Sequence, residues 1–243
     1  MKNNIFADKR LNFKDFLIIL LSWYFISFSS YYIGEKDFAS LIYINDILNF
    51  TINVLAHIVF LMIIYSYFNL LYDFKFSDLG FKINKNKIKL KALMVILSLL
   101  TAGTILININ YNPAADGSFF PLKLKPDIIM SIYSDLPLLA VIFIALLFTA
   151  AVEQFLFNKV VFSLFELYFP TPAASILTAL FVPVLFLEFN PAFILITFIS
   201  VIISNYLYII SDYNLFNSII FYSYFLTLYI AFIYGFDFIS ILF

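Results

Sequence analysis

The chain of 243 residues has no cysteine, one histidine, one tryptophan and five glycines, and only 12% of its residues are charged. Without cysteine there is no disulfide, no thiolate metal site and no cysteine nucleophile. With His57 as the one imidazole, the common His-rich and Cys-rich zinc sites cannot be assembled from its own side chains. A formal net charge of −1 gives no long-range attraction to nucleic acid, so no nucleic-acid partner is expected, and no pattern points to a cofactor. An ordinary soluble domain is roughly a quarter charged. This chain has too little charge to cover a water-facing surface.

What it has instead is apolar sequence: 64% of the residues are hydrophobic, including 33 phenylalanines and 17 tyrosines. Several apolar runs approach the ~20 residues that a helix needs to cross a hydrocarbon core. In lipid the backbone must satisfy its own hydrogen bonds, which leaves helices or a closed barrel. The runs lack the alternation of barrel strands. The expected fold is all-α, a polytopic transmembrane bundle of about seven (six to eight) spanning helices, forming a single membrane domain over 1–243. The expected spans are 16–33, 47–72, 92–110, one from 136 to beyond 158, 173–189, 192–210 and 215–234, with 235–243 as part of an eighth segment.

The basic residues set the orientation. Four precede the first span, one follows it (Lys36), six lie between spans two and three, and two lie in the next loop (Lys123 and Lys125). This alternation places the N-terminus in the cytoplasm. Residues 1–14 are charged and the first apolar run has no small-residue cleavage site, so it reads as a retained helix. Residues 74–91 mix apolar side chains with lysine and read as positive-inside topology, or as an interfacial segment on the anionic leaflet. The loop 111–135 carries the turn signals Asn112-Pro113, Asp116-Gly117 and Pro121. There is no internal repeat, and the enrichment in Phe, Ile, Asn, Lys and Tyr reads as coding bias in an AT-rich genome.

Polar groups inside spans are costly, and each is a site hypothesis. Glu153 lies about 17 residues past Leu136, roughly 25 Å along the helix and within hydrocarbon depth. Gln154 and Asn158 are four apart and share a face, with Glu153 one step round. Such a patch is either a structural cluster between helices or a functional site. A dry Glu153 must be protonated or paired. Lys159 is expected to snorkel to the interface. His57 reads as a satisfied bundle histidine, Glu188 as a wetted residue near a span end, and Asn205 and Tyr222 as hydrogen-bonding contacts between helices, Asn205 also being a binding candidate. Asp212 and Asn214 fall in a short loop.

At Glu153 the chain resembles the CAAX protease and bacteriocin-processing (CPBP, or Abi) family of intramembrane endopeptidases, over about residues 75–230. That family has Glu-Glu-x-x-x-Arg late in a long transmembrane helix, then Phe-x-x-x-His, then a His with Asn four residues on. The corresponding stretches here are Glu153-Gln154-Phe155-Leu156-Phe157-Asn158, Phe181-Val182-Pro183-Val184-Leu185, and Tyr222 followed by Leu226. Ser77-Asp78-Leu79-Gly80-Phe81 ahead of a lysine-rich stretch is also similar. The resemblance implies a bacterial cell-membrane protein in which the first Glu, here Glu153, would activate water. The second Glu is replaced by Gln154, the Arg by Asn158, the two His by Leu185 and Tyr222, and the Asn by Leu226.

Peptide hydrolysis needs a base, an acid for the leaving amine and a holder for developing negative charge. The expectation is therefore an inactive CPBP-like membrane protein that binds or scaffolds a membrane protein or peptide partner in the bilayer. The alternatives are an active Glu153-dependent endopeptidase of the CAAX-processing or bacteriocin-immunity type, and a transporter, which would want repeated halves and broken helices.

Overall fold

Asn12 opens the first helix. Its side-chain oxygen accepts from the backbone N–H of Lys14 at 2.8 Å and of Asp15 at 3.3 Å, while the Asp15 carboxylate accepts from the Asn12 N–H at 2.7 Å. This reciprocal arrangement satisfies donors that a helix start leaves orphaned. A computed structural model describes residues 12–34, 42–75, 78, 99, 103, 136–186 and 191–234. Among these the chain is helical with no strand. The helices are α1 (Phe13–Gly34), α2 (Ile42–Tyr72) and α3 (Leu136–Gln154), which runs without a break into a π-helical segment (Phe155–Phe162) and a short α4 (Ser163–Glu166). Then come α5 (Thr171–Leu185), α6 (Pro191–Ile210) and α7 (Leu215–Tyr234).

α1 packs along α2, α3 along both α2 and α7, and α6 along both α5 and α7. The π-helical segment sits where α5, α6 and α7 meet, and all eight of its side chains are buried. A π register forgoes regular α hydrogen bonding, which makes it rare and often associated with function. Here it begins one residue after Gln154 and contains Asn158.

Large apolar side chains lie on the surface as well as in the core, and a group of polar ones is buried. Leu21, Phe25, Met62 and Leu70 are between 64% and 82% exposed, while Glu153, Gln154, Asn158, Ser204 and Asn205 are at most 1% exposed. Several buried hydroxyls donate back to a carbonyl three or four residues earlier: Thr178 to Ala174, Ser200 to Thr197, Ser218 to Leu215 and Ser223 to Ile219, all at 2.7–2.9 Å.

Two stretches among the described residues are long and apolar enough to cross a membrane, Val54–Tyr72 and Leu146–Glu166. The helix at 215–234 has the bounds read from the sequence, and α6 begins one residue earlier than read. The run read as 173–189 is a helix only from Thr171 to Leu185. Pro183 lies in its last turn, supplies no N–H and crowds the carbonyl four residues back, and the helix stops within three residues. Its 15 residues extend about 22 Å, short of the ~30 Å hydrocarbon core. All of the third expected span except Leu99 and Gly103, most of the 74–91 segment, Glu188 and residues 235–243 lie outside the described residues. Lys159, expected to reach an interface, is instead 4% exposed and partnered within the fold, because the π segment turns it into the bundle.

Candidate functional site

Gln154 and Asn158 do share a face. The Asn158 side-chain amide donates to Gln154 Oε1 at 2.7 Å and to Ser204 Oγ on α6 at 3.1 Å, and the Ser204 hydroxyl also donates to Gln154 Oε1. The result is a three-membered polar knot between the π segment and α6. Next to Ser204, Asn205 turns toward α5 and donates to Ser175 Oγ at 3.1 Å and to the Ser175 carbonyl at 3.4 Å. Asn205 therefore acts as a contact between helices.

Glu153 points to the other side of the knot. Its carboxylate is buried, and the side chain that interacts with it is Tyr222 of α7. The phenol stands close to the acid without meeting full hydrogen-bond geometry, since neither carboxylate oxygen has a well-formed bond. Gln154 Nε2 and Asn158 Oδ1 in the knot, and Asn205 Oδ1 on α6, are also buried without partners. Unsatisfied buried polar atoms are uncommon in folded proteins. A group of them on adjacent residues marks this interior as different from an ordinary packed core.

Aromatic rings join this region to the end of α5. Phe157 meets Tyr222 edge-on with ring centroids 6.2 Å apart, and meets Phe186 edge-on at 5.6 Å. Phe186 follows Leu185, which is buried, and Leu226 is buried one turn beyond Tyr222. Phe157 of the first stretch thus meets Tyr222 of the third, and Phe186, which directly follows the second. No family model, curated protein or solved structure matches the chain. His57 is buried on α2 and partnered within the fold. Among the described residues no three His, Cys, Asp or Glu side chains gather as a metal would require.

The chemistry available at Glu153 is narrow. One acid and one phenol can share or pass a proton, but the Leu185 side chain can neither donate nor accept one. Both donor hydrogens of the Asn158 amide and the Gln154 Oε1 acceptor are taken up by the knot, which leaves Gln154 Nε2 as the one amide donor there without a partner.

Sequence reasoning missed Ser204 and Ser175, which look unremarkable beside Asn205, and the two aromatic residues of α1 that reach the site. Tyr24 donates its hydroxyl to the Leu185 carbonyl at 2.7 Å, and Trp23 packs edge-on against Phe186 with centroids 5.6 Å apart. That Trp23 is the chain's single tryptophan was the one available signal.

A second polar group closes the turn between α6 and α7. Glu166 accepts from the Tyr213 hydroxyl at 2.6 Å and from Thr171 Oγ1 at 3.1 Å. Tyr213 and its neighbour Asp212 have φ of 60° and 56°, a left-handed conformation that costs a bulky residue about 1–3 kcal/mol. Burial, and then the Glu166 carboxylate, raise the Tyr213 phenol above its usual range.

Proposed function

We propose that the chain is a polytopic integral membrane protein of CPBP-like architecture, with about seven spans and its N-terminus in the cytoplasm, that does not hydrolyse peptide bonds and holds a membrane protein or peptide partner. The exposed apolar surface and the buried polar group support the membrane reading. Exposed Leu, Ile, Phe and Met side chains are suited to acyl chains, and a bundle surrounded by lipid keeps its polar groups inside. The single observation that carries the inactive reading is the surroundings of Glu153: Tyr222 is the side chain that interacts with it and the Asn158 amide is locked in the knot with Gln154 and Ser204, while the resemblance puts Leu185 where a histidine is needed. Loss of one oxyanion donor typically lowers a rate by ~10²–10³, and neither histidine of the resembled motifs is present.

Tyr222 beside Glu153 favours the endopeptidase reading to the extent that a phenol can supply a proton. The test separates the two. The full-length protein is reconstituted in liposomes with membrane-anchored peptides, and hydrolysis is followed by mass spectrometry for wild type, Glu153→Gln and Tyr222→Phe. The inactive reading requires that all three give the same background. Cleavage that disappears in both variants would establish an active endopeptidase.

A further inference from the structure

α1 lies outside the 75–230 region of resemblance, yet it supplies two side chains to the site, and its two flanks are held very differently. Toward α2, the buried Asp15 carboxylate accepts from the Tyr67 hydroxyl at 2.8 Å, from the Tyr72 hydroxyl at 2.8 and 2.9 Å and from the Asn12 backbone N–H at 2.7 Å. Charge-assisted bonds of this kind are among the stronger ones. Toward α5, the polar tie among the described residues is a single neutral bond, from Tyr24 to the Leu185 carbonyl at 2.7 Å. Beside it the Trp23 indole N–H is buried at 3% exposure with no acceptor at all.

The weak seam leads to the acid. Trp23 touches Phe186, Phe186 touches Phe157, Phe157 touches Tyr222, and Tyr222 interacts with Glu153. The helix end that α1 caps is itself exceptional. α5 ends at Leu185, the Phe186 N–H serves the carbonyls of Val182, Pro183 and Val184, and backbone groups at a helix end within a membrane are tolerated only if covered by protein or facing water. Tyr24 provides that cover.

We infer that α1 is a hinged closure over the Glu153 site, pivoting on the Asp15 clasp and parting from α5 along the Trp23–Tyr24 seam. In the closed state an unpaired indole donor makes the seam weaker than its buried area implies. In the open state the indole N–H and the Leu185 carbonyl are both offered to an occupant. The inference rests on the membrane reading given above.

The test measures access to Glu153 in the full-length protein in liposomes. Dicyclohexylcarbodiimide, an apolar reagent that partitions into bilayers, is added. The adduct at residue 153 is followed by peptide mass spectrometry, with Glu153→Gln as the blank and thermal unfolding to establish that each variant is folded. Tyr24→Phe removes the seam's hydrogen bond and should raise the labelling rate ~5-fold, the population change that one ordinary hydrogen bond gives. Because the chain has no cysteine, Tyr24→Cys/Leu185→Cys can be joined by a short bifunctional thiol reagent. Joining should lower the rate at least ~5-fold relative to the same protein unjoined. Equal rates for wild type and Tyr24→Phe, no change on joining, or no adduct in any variant would each overturn the closure. Rapid labelling of every variant by a water-soluble carbodiimide is a different failure, since it would place Glu153 in water and remove the membrane reading.

Discussion

Replacing the whole knot by apolar side chains of similar shape should leave the protein at least as stable as it is now. The knot contains three hydrogen bonds: Asn158 to Gln154, Asn158 to Ser204 and Ser204 to Gln154. Hydrogen bonds between helices in a membrane average ~0.6 kcal/mol, so the three together supply about 2 kcal/mol. Against this, Gln154 Nε2 and Asn158 Oδ1 are buried without partners, and each such atom costs ~1–3 kcal/mol. The triple variant Gln154→Met/Asn158→Leu/Ser204→Ala removes all three bonds and both orphans, and should be more stable than wild type by ~0–4 kcal/mol. Ser204→Ala alone breaks two bonds, keeps both orphans, and should cost ~1 kcal/mol. The signs therefore differ between one substitution and three, a non-additivity expected of side chains in one network. Reversible unfolding in bicelles, followed by tryptophan fluorescence, measures both. A triple variant less stable than wild type by more than ~2 kcal/mol would mean that the knot is a stability device, and the functional reading of these residues would lose its support.

Three other outcomes follow from the same contacts. Asp15→Ala strips the acceptor from two tyrosine hydroxyls and the helix cap, and should cost ~3 kcal/mol in the same unfolding assay, against ~1 kcal/mol for Tyr67→Phe, which leaves Tyr72 in place. Tyr213 has a raised folded pKa, so the folded state retains its proton at a pH where the unfolded chain releases it. Its contribution is therefore complete below the ordinary phenol value of 10.0 and declines as pH rises above it. Stability measured between about pH 9 and 11.5 should fall more steeply for wild type than for Tyr213→Phe. Pro183→Ala restores an N–H within the last turn of α5 and should raise helicity by circular dichroism; an unchanged spectrum would mean that α1, rather than the proline, ends the helix.

The parts of the fold set by local pattern were readable in advance. The apolar runs at 192–210 and 215–234 are bounded by Pro191 and by the polar stretch 211–214, and the helices there follow them within a residue. α1 begins three residues before the expected 16, because the reciprocal Asn12–Asp15 cap lies in a stretch that hydropathy alone reads as polar. α2 starts five residues before the expected 47. The π segment had no sequence signal, since Phe155-Leu156-Phe157 continues an ordinary helical run and the change of register depends on packing among α5, α6 and α7. Within the site, the pairing of Gln154 with Asn158 followed from a spacing of four. The contribution of Trp23 and Tyr24 did not, because those residues precede Leu185 by more than 160 positions and only the tertiary fold brings them together.

The membrane reading requires lipid against the exposed apolar face of the bundle. Single cysteines can be placed without background at Met62, Leu70 and Leu180, which are exposed, and at Ile64, Phe68 and Ala179, which are buried. With spin labels at these positions in liposomes, collision rates with oxygen and with a polar nickel chelate distinguish lipid, water and protein surroundings. The account predicts high oxygen and low nickel accessibility at the exposed positions, and low values of both at the buried ones. High nickel accessibility at Met62 and Leu180 would put that face in water, and the membrane reading would be wrong.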